Sequence, residues 1–113
     1  MLEIFVEAGE EYVTCRPSGE LDAYTVAKFR ETLADLINQP CVILDLSEVP
    51  FMDSAGLGAL IGGIRRVREN NGQIVVACDR TPLTRLLHTT GFDRIVPVYE
   101  TMDEAVRFLT SGD

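Results

Sequence analysis

The groups in this sequence that could do chemistry gather around one stretch, Pro50-Phe51-Met52-Asp53-Ser54-Ala55-Gly56-Leu57-Gly58. Its serine hydroxyl could serve as a nucleophile, as a helix cap or as the acceptor of a transferred group. A nucleophile needs a base, and the single histidine, His88, follows Ser54 together with Asp79 in the chain order of one hydrolase class. The motif of that class also needs glycine two residues before the serine and two after. Met52 fills the first position and only Gly56 fits. The glycines fail as a phosphate cradle too. Gly56-Leu57-Gly58-Ala59-Leu60-Ile61 lacks the third glycine of a dinucleotide fingerprint, and no lysine follows as a nucleotide-hydrolase loop requires. Lys28 is the only lysine. Asp45 ends an apolar run, as a phospho-aspartate would, but no lysine follows the last strand-like run. Cys15, Cys41 and Cys78 each lie in a strand-like apolar run and read as small buried hydrophobes. No metal site and no cofactor is expected. Ser54 remains, as a modification site or as a plain cap.

The elements around Ser54 follow from hydrophobic period. Cys41-Val42-Ile43-Leu44-Asp45-Leu46 reads as a buried strand, stopped by a polar link with Ser47, Glu48 and Pro50. Asp53 and Ser54 are both cap types for the helix that follows. Leu57, Leu60, Ile61, Ile64 and Val67 form its apolar stripe, while Ala55, Gly58, Ala59, Gly62, Arg65 and Glu69 fall on the other side. That second side is nearly bare for two turns. Glycine within a helix costs about 1 kcal/mol relative to alanine, so Gly58, Gly62 and Gly63 call for a reason. Close packing against the sheet is one; approach of another molecule beside Ser54 is the other.

The rest of the chain supplies a scaffold. Leu2 to Glu7 and Glu11 to Arg16 read as a hairpin, with Pro17 ending the second strand or marking an edge. Asp22 caps a helix with Val26, Phe29, Leu33, Leu36 and Ile37 inward, closed by Asn38 and Pro40. Gln73 to Cys78 is a further buried strand, and Thr81 as cap with Pro82 at the first helical position starts a short helix that ends at Gly91. Arg94 to Tyr99 is expected as the last strand. Thr101-Met102-Asp103-Glu104 is a capping box for the final helix, which buries Ala105, Val106 and Leu109. The order β-β-α-β-α-β-α-β-α predicts an α/β domain over residues 1–113, with a mixed, mostly parallel sheet and about four helices.

Composition narrows the function classes. The chain has 113 residues, 46% of them hydrophobic and 25% charged, which is ordinary for a soluble domain. A net charge of −8 argues against nucleic acid or an anionic membrane as partner. The N-terminus lacks the basic flank of a signal peptide, and no run approaches the length of a membrane span. A cytoplasmic location is expected.

Phe51-Met52-Asp53-Ser54-Ala55-Gly56-Leu57-Gly58 resembles the signature of the anti-sigma factor antagonists, the single-domain STAS proteins. Ser18-Gly19-Glu20-Leu21-Asp22 resembles their second landmark, and the segments Val42 to Ser47 and Phe92 to Ala105 fit as well. The resemblance spans essentially the whole chain. It implies a STAS-like fold and a binding module in place of an enzyme. It implies that Ser54 is phosphorylated by a partner serine/threonine kinase that is itself the anti-sigma factor, and that a metal-dependent serine phosphatase reverses this. The unphosphorylated form would bind the anti-sigma factor and release the sigma factor. Asp22 would lie beside Ser54 and contribute to recognition. The surface expected to meet the partner then comprises Asp22, Asp53, Ser54, Ala55, Gly56, Gly58, Ala59, Gly62 and Arg65. Two features depart from the pattern: Pro17, which is expected to shorten the second strand, and Gly62-Gly63, which loosen the helix. A STAS scaffold subunit of a transport or stress-sensing assembly, with Ser54 merely a cap, is the alternative.

Overall fold

The structure, a computed structural model, describes residues 2–110. Residues 1 and 111–113, which the expected domain of 1–113 includes, lie outside them. Five strands form one sheet in the order β1-β2-β3-β4-β5, comprising Glu3–Ala8, Val13–Ser18, Cys41–Asp45, Gln73–Ala77 and Val98–Tyr99. β1 and β2 are antiparallel, and every later pairing is parallel. Helices α1 (Val26–Asp35), α2 (Ser54–Glu69), α3 (Thr81–Thr89), α4 (Phe92–Ile95) and α5 (Met102–Thr110) connect and cover it.

The sheet explains why β3 and β4 are apolar nearly throughout. Val42, Leu44, Ile74 and Val76 face one core, shared with Phe29 and Leu33 of α1, Leu60 and Ile64 of α2 and Leu83 and Leu87 of α3. Ile43, Val75 and Ala77 face the other, where Ala105 and Leu109 of α5 cover them. A parallel strand covered on both faces has no polar side to show.

Four expectations change. Pro17 does not end β2, which runs on to Ser18, but marks an edge: it sits opposite Ile4 of β1 and beyond Cys15↔Leu44, where pairing with β3 stops. Its missing N–H therefore costs the β3 ladder nothing. The first helix begins at Val26 and not directly after Asp22, because residues 22–25 form a separate turn. Thr81 is the first helical residue of α3, with Arg80 at the cap position. The expected last strand from Arg94 starts late, because Arg94 and Ile95 belong to a helix: Gly91, at φ 78°, ends α3 and the chain turns at once into α4. Pro97 has no N–H for a ladder, so β5 holds only Val98 and Tyr99. The helices therefore number five among the described residues, one more than expected.

Candidate functional site

Ser54 sits where β3 hands the chain to α2, and the backbone holds that junction against the first landmark. Leu21 N–H donates to the Phe51 carbonyl at 3.0 Å, and Asp53 N–H donates back to the Leu21 carbonyl at 3.1 Å. One step earlier, Gly19 N–H donates to the Glu48 carbonyl at 3.0 Å, and Glu48 also pairs with Arg16. Two loops remote in sequence are thereby stitched edge to edge.

Asp53 is the cap of α2. Its Oδ1 accepts from Gly56 N–H at 3.0 Å, satisfying one of the donors that a helix start leaves open. Its Oδ2 accepts from Ala23 N–H at 3.2 Å, so the same carboxylate ties α2 to the Asp22 turn. Asp22 in turn orders its own loop, accepting from the N–H groups of Tyr24 at 2.9 Å and Thr25 at 3.1 Å. The Thr25 hydroxyl donates to the Glu20 carbonyl at 2.8 Å. Both acids thus have structural work independent of any partner.

That leaves Ser54 without a capping task. It is exposed, it is the first residue of the helix, and its hydroxyl makes no hydrogen bond among the described residues. The hydroxyl lies beside the positive end of a helix dipole and next to a carboxylate already committed to backbone amides. Such a position tolerates an added anion with little disturbance.

The bare side of α2 divides in two. A Cβ on Gly58 or Gly62 would meet nothing within 4 Å, as the helical period predicts, and Arg65 is exposed beside them. Gly56 and Ala59 behave otherwise. Ala59 is buried in the core, and a Cβ on Gly56 would lie 2.4 Å from the Leu21 carbonyl oxygen. Gly63 likewise presses on Leu33 of α1. The physical reason is that α2 packs against two neighbours, the sheet and α1 with its leading loop. Its buried arc is therefore wider than one stripe and shifted, leaving Leu57 and Ile61 only half-buried.

Each of the two joined loops also carries an exposed aromatic that composition did not single out. Tyr24 is 96% exposed at the tip of the Asp22 turn, and Phe51 is 50% exposed just before Met52. Arg30 of α1 is a further omission; it lines a groove of about 360 Å³ with Arg66, Gly58 and Gly62. Only the packing of α1 on α2 brings it there.

The hydrolase set is not assembled. His88 Nδ1 lies 2.8 Å from Asp93 Oδ2, and the cavity of about 480 Å³ that His88 lines with Asp79 does not include Ser54. Cys15 and Cys78 are buried and Cys41 is half-buried, all three unbridged. Burial pushes the Cys15 thiol up to about 12. No grouping of His, Cys, Asp or Glu among the described residues could hold a metal ion.

Residues 4–105 match the family model of the STAS domain. The chain belongs to the STAS domain family. It is 32% identical over 102 residues to the anti-sigma F factor antagonist of Paenibacillus polymyxa, covering 88% of this chain and 87% of that one. It is also 32% identical over 94 residues to the anti-sigma-B factor antagonist of Listeria monocytogenes, covering 81% and 82%. Among solved structures, an anti-sigma factor antagonist from Mycobacterium paratuberculosis matches with a TM-score of 0.89 at 26% identity, covering 96% of this chain and 94% of that chain. The STAS fold seen here is thus a five-stranded mixed sheet with five helices among the described residues. Within those residues no helix is long and apolar enough to cross a membrane.

Proposed function

We propose that this STAS protein is an anti-sigma factor antagonist, a binding module controlled by phosphorylation of Ser54. The observation that carries the reading is the division of labour at the head of α2. Asp53 does the capping, so the exposed Ser54 hydroxyl is left for another use. The names of the relatives at 32% identity support an anti-sigma factor as partner. In this reading that partner is a serine/threonine kinase, and a metal-dependent serine phosphatase removes the phosphate. The unmodified protein binds the kinase and frees its sigma factor. The contact surface comprises Asp22, Asp53, Ser54, Ala55, Gly58, Gly62 and Arg65, with Tyr24 and Phe51 as aromatic contacts. The buried Gly56 and Ala59 shape that surface from beneath.

A phosphate brings about −1.5 to −2 charges. Beside Asp53 and Asp22 it makes the surface strongly anionic, and like-charge juxtaposition at an interface costs several kcal/mol, enough for about a hundredfold loss of affinity. The test is to incubate the purified protein with candidate anti-sigma kinases and ATP, map the phosphate and measure binding. Phosphate on Ser54 alone, with weaker binding afterwards and constitutive binding by Ser54→Ala, is the expected result. Phosphate on Thr81 or Thr89 with Ser54 unmodified would overturn it. A tight complex that ATP never alters would favour a permanent scaffold interface.

A further inference from the structure

The protein carries 18 acidic residues against 10 basic ones, yet among the described residues some of its arginines have no carboxylate partner. Among the described residues the ion pairs are Arg16–Glu48 and His88–Asp93. Arg30 on α1 and Arg66 on α2 belong to neither, and both line the same groove of about 360 Å³. The two helices are held close there by Gly63, whose backbone lets Leu33 in. On the α2 side, Ser54, Gly58, Gly62 and Arg66 recur at four-residue steps, so they form one row about 18 Å long. Gly58 and Gly62 leave that row open to solvent at its centre.

We infer that this groove is the seat of an acidic helix of the protein partner. It runs back from the Ser54 surface, with carboxylates of that helix engaging Arg30 and Arg66. Charge complementarity selects the occupant. Two guanidinium groups without an ion pair among the described residues, on a domain of net charge −8, are matched by carboxylates, which arginine binds in a two-point geometry. The shape selects a helix. A row without Cβ atoms between bordering side chains is a groove of the four-residue class, which accepts the ridge of another helix. Nucleic acid would meet the same arginines but also the anionic remainder of the surface. The identity of the occupant as the antagonist's partner rests on the function proposed above; the chemistry of the groove does not.

The experiment therefore starts with a defined probe. A short alanine-based helical peptide with glutamate at every fourth position is titrated to millimolar concentration into the isotopically labelled protein, beside its lysine twin. Expected are amide shifts at Arg30, Gly58, Gly62 and Arg66 with the glutamate peptide only, weakening as salt is raised. Arg30→Glu and Arg66→Glu should each weaken the interaction at least about tenfold. Arg85→Glu, an equal charge change on α3, should leave it within about twofold. Absence of shifts, equal binding of the lysine twin, equal loss in Arg85→Glu, or a preference of these arginines for a DNA oligonucleotide would each overturn the inference. Kinase labelling of Ser54 on the same variants separates the two readings. Labelling with no glutamate-peptide binding removes the groove and keeps the switch; the converse removes the switch and keeps the groove.

Discussion

At the residue scale, two neighbours with similar side-chain chemistry hold different offices. Asp53 bonds both Gly56 of its own helix and Ala23 of the adjoining turn, so Asp53→Ala should cost about 1–2 kcal/mol in urea unfolding. Ser54 caps nothing, so Ser54→Ala should change stability by less than about 0.5 kcal/mol, measured the same way. An equal loss from both substitutions would contradict the assignment of the cap. Cys15 offers a third measurement at this scale. Its thiol is raised from 9.0 to about 12 by burial, so the folded protein keeps a proton that the unfolded chain releases near 9.0. This contribution is intact below pH 9.0 and declines between 9.0 and about 12, by up to about 1.4 kcal/mol per pH unit. Cys78 is raised in the same direction, chiefly by burial. Denaturation at rising pH should show the decline, and Cys15→Ala should flatten it.

Within a single element, the glycines of α2 predict opposite outcomes for one kind of substitution. Gly58→Ala places a methyl in open space and should raise stability by about 1 kcal/mol through helix propensity. Gly56→Ala drives a methyl to 2.4 Å from the Leu21 carbonyl oxygen, which is backbone and cannot swing aside. That overpacking should cost about 1–3 kcal/mol and part the Asp22 turn from the head of α2. Thermal unfolding of the two variants side by side provides the check; a shared sign would mean that the contact between α2 and residue 21 yields easily.

For the whole molecule, the question is whether phosphate reshapes the domain or only its surface. Ser54 lies at the end of a helix buried between the sheet and α1, and both sheet faces are filled. Nothing in that arrangement offers two alternative packings, and the helix start can accept an anion where it stands. The phosphorylated protein should therefore show amide shifts limited to residues 51–62 and the Asp22 turn. Shifts spread through β1 or α5 would indicate a conformational switch instead.

Much of this architecture was open to reading from the chain. The mixed, mostly parallel sheet followed from fully apolar runs at β3 and β4 alternating with helical periods, because burial on both faces leaves a pattern that no partner needs to explain. Gly58 and Gly62 as an open face followed from the same period. Other features depended on contacts between segments distant in sequence. Leu21 meeting Gly56, Gly63 meeting Leu33 and Arg30 meeting Arg66 across a groove arise only when α1 settles on α2. The same packing widened the buried arc of α2 and took Gly56 and Ala59 out of the surface. The choice between Asp53 and Ser54 as cap was likewise tertiary: either side chain can bond a helix start, but only Asp53 has a second oxygen with Ala23 N–H in reach. Hydrophobic period records which residues avoid water, and it does so locally. Which of those residues touch one another, and which hydroxyl is left over, is decided where two elements meet.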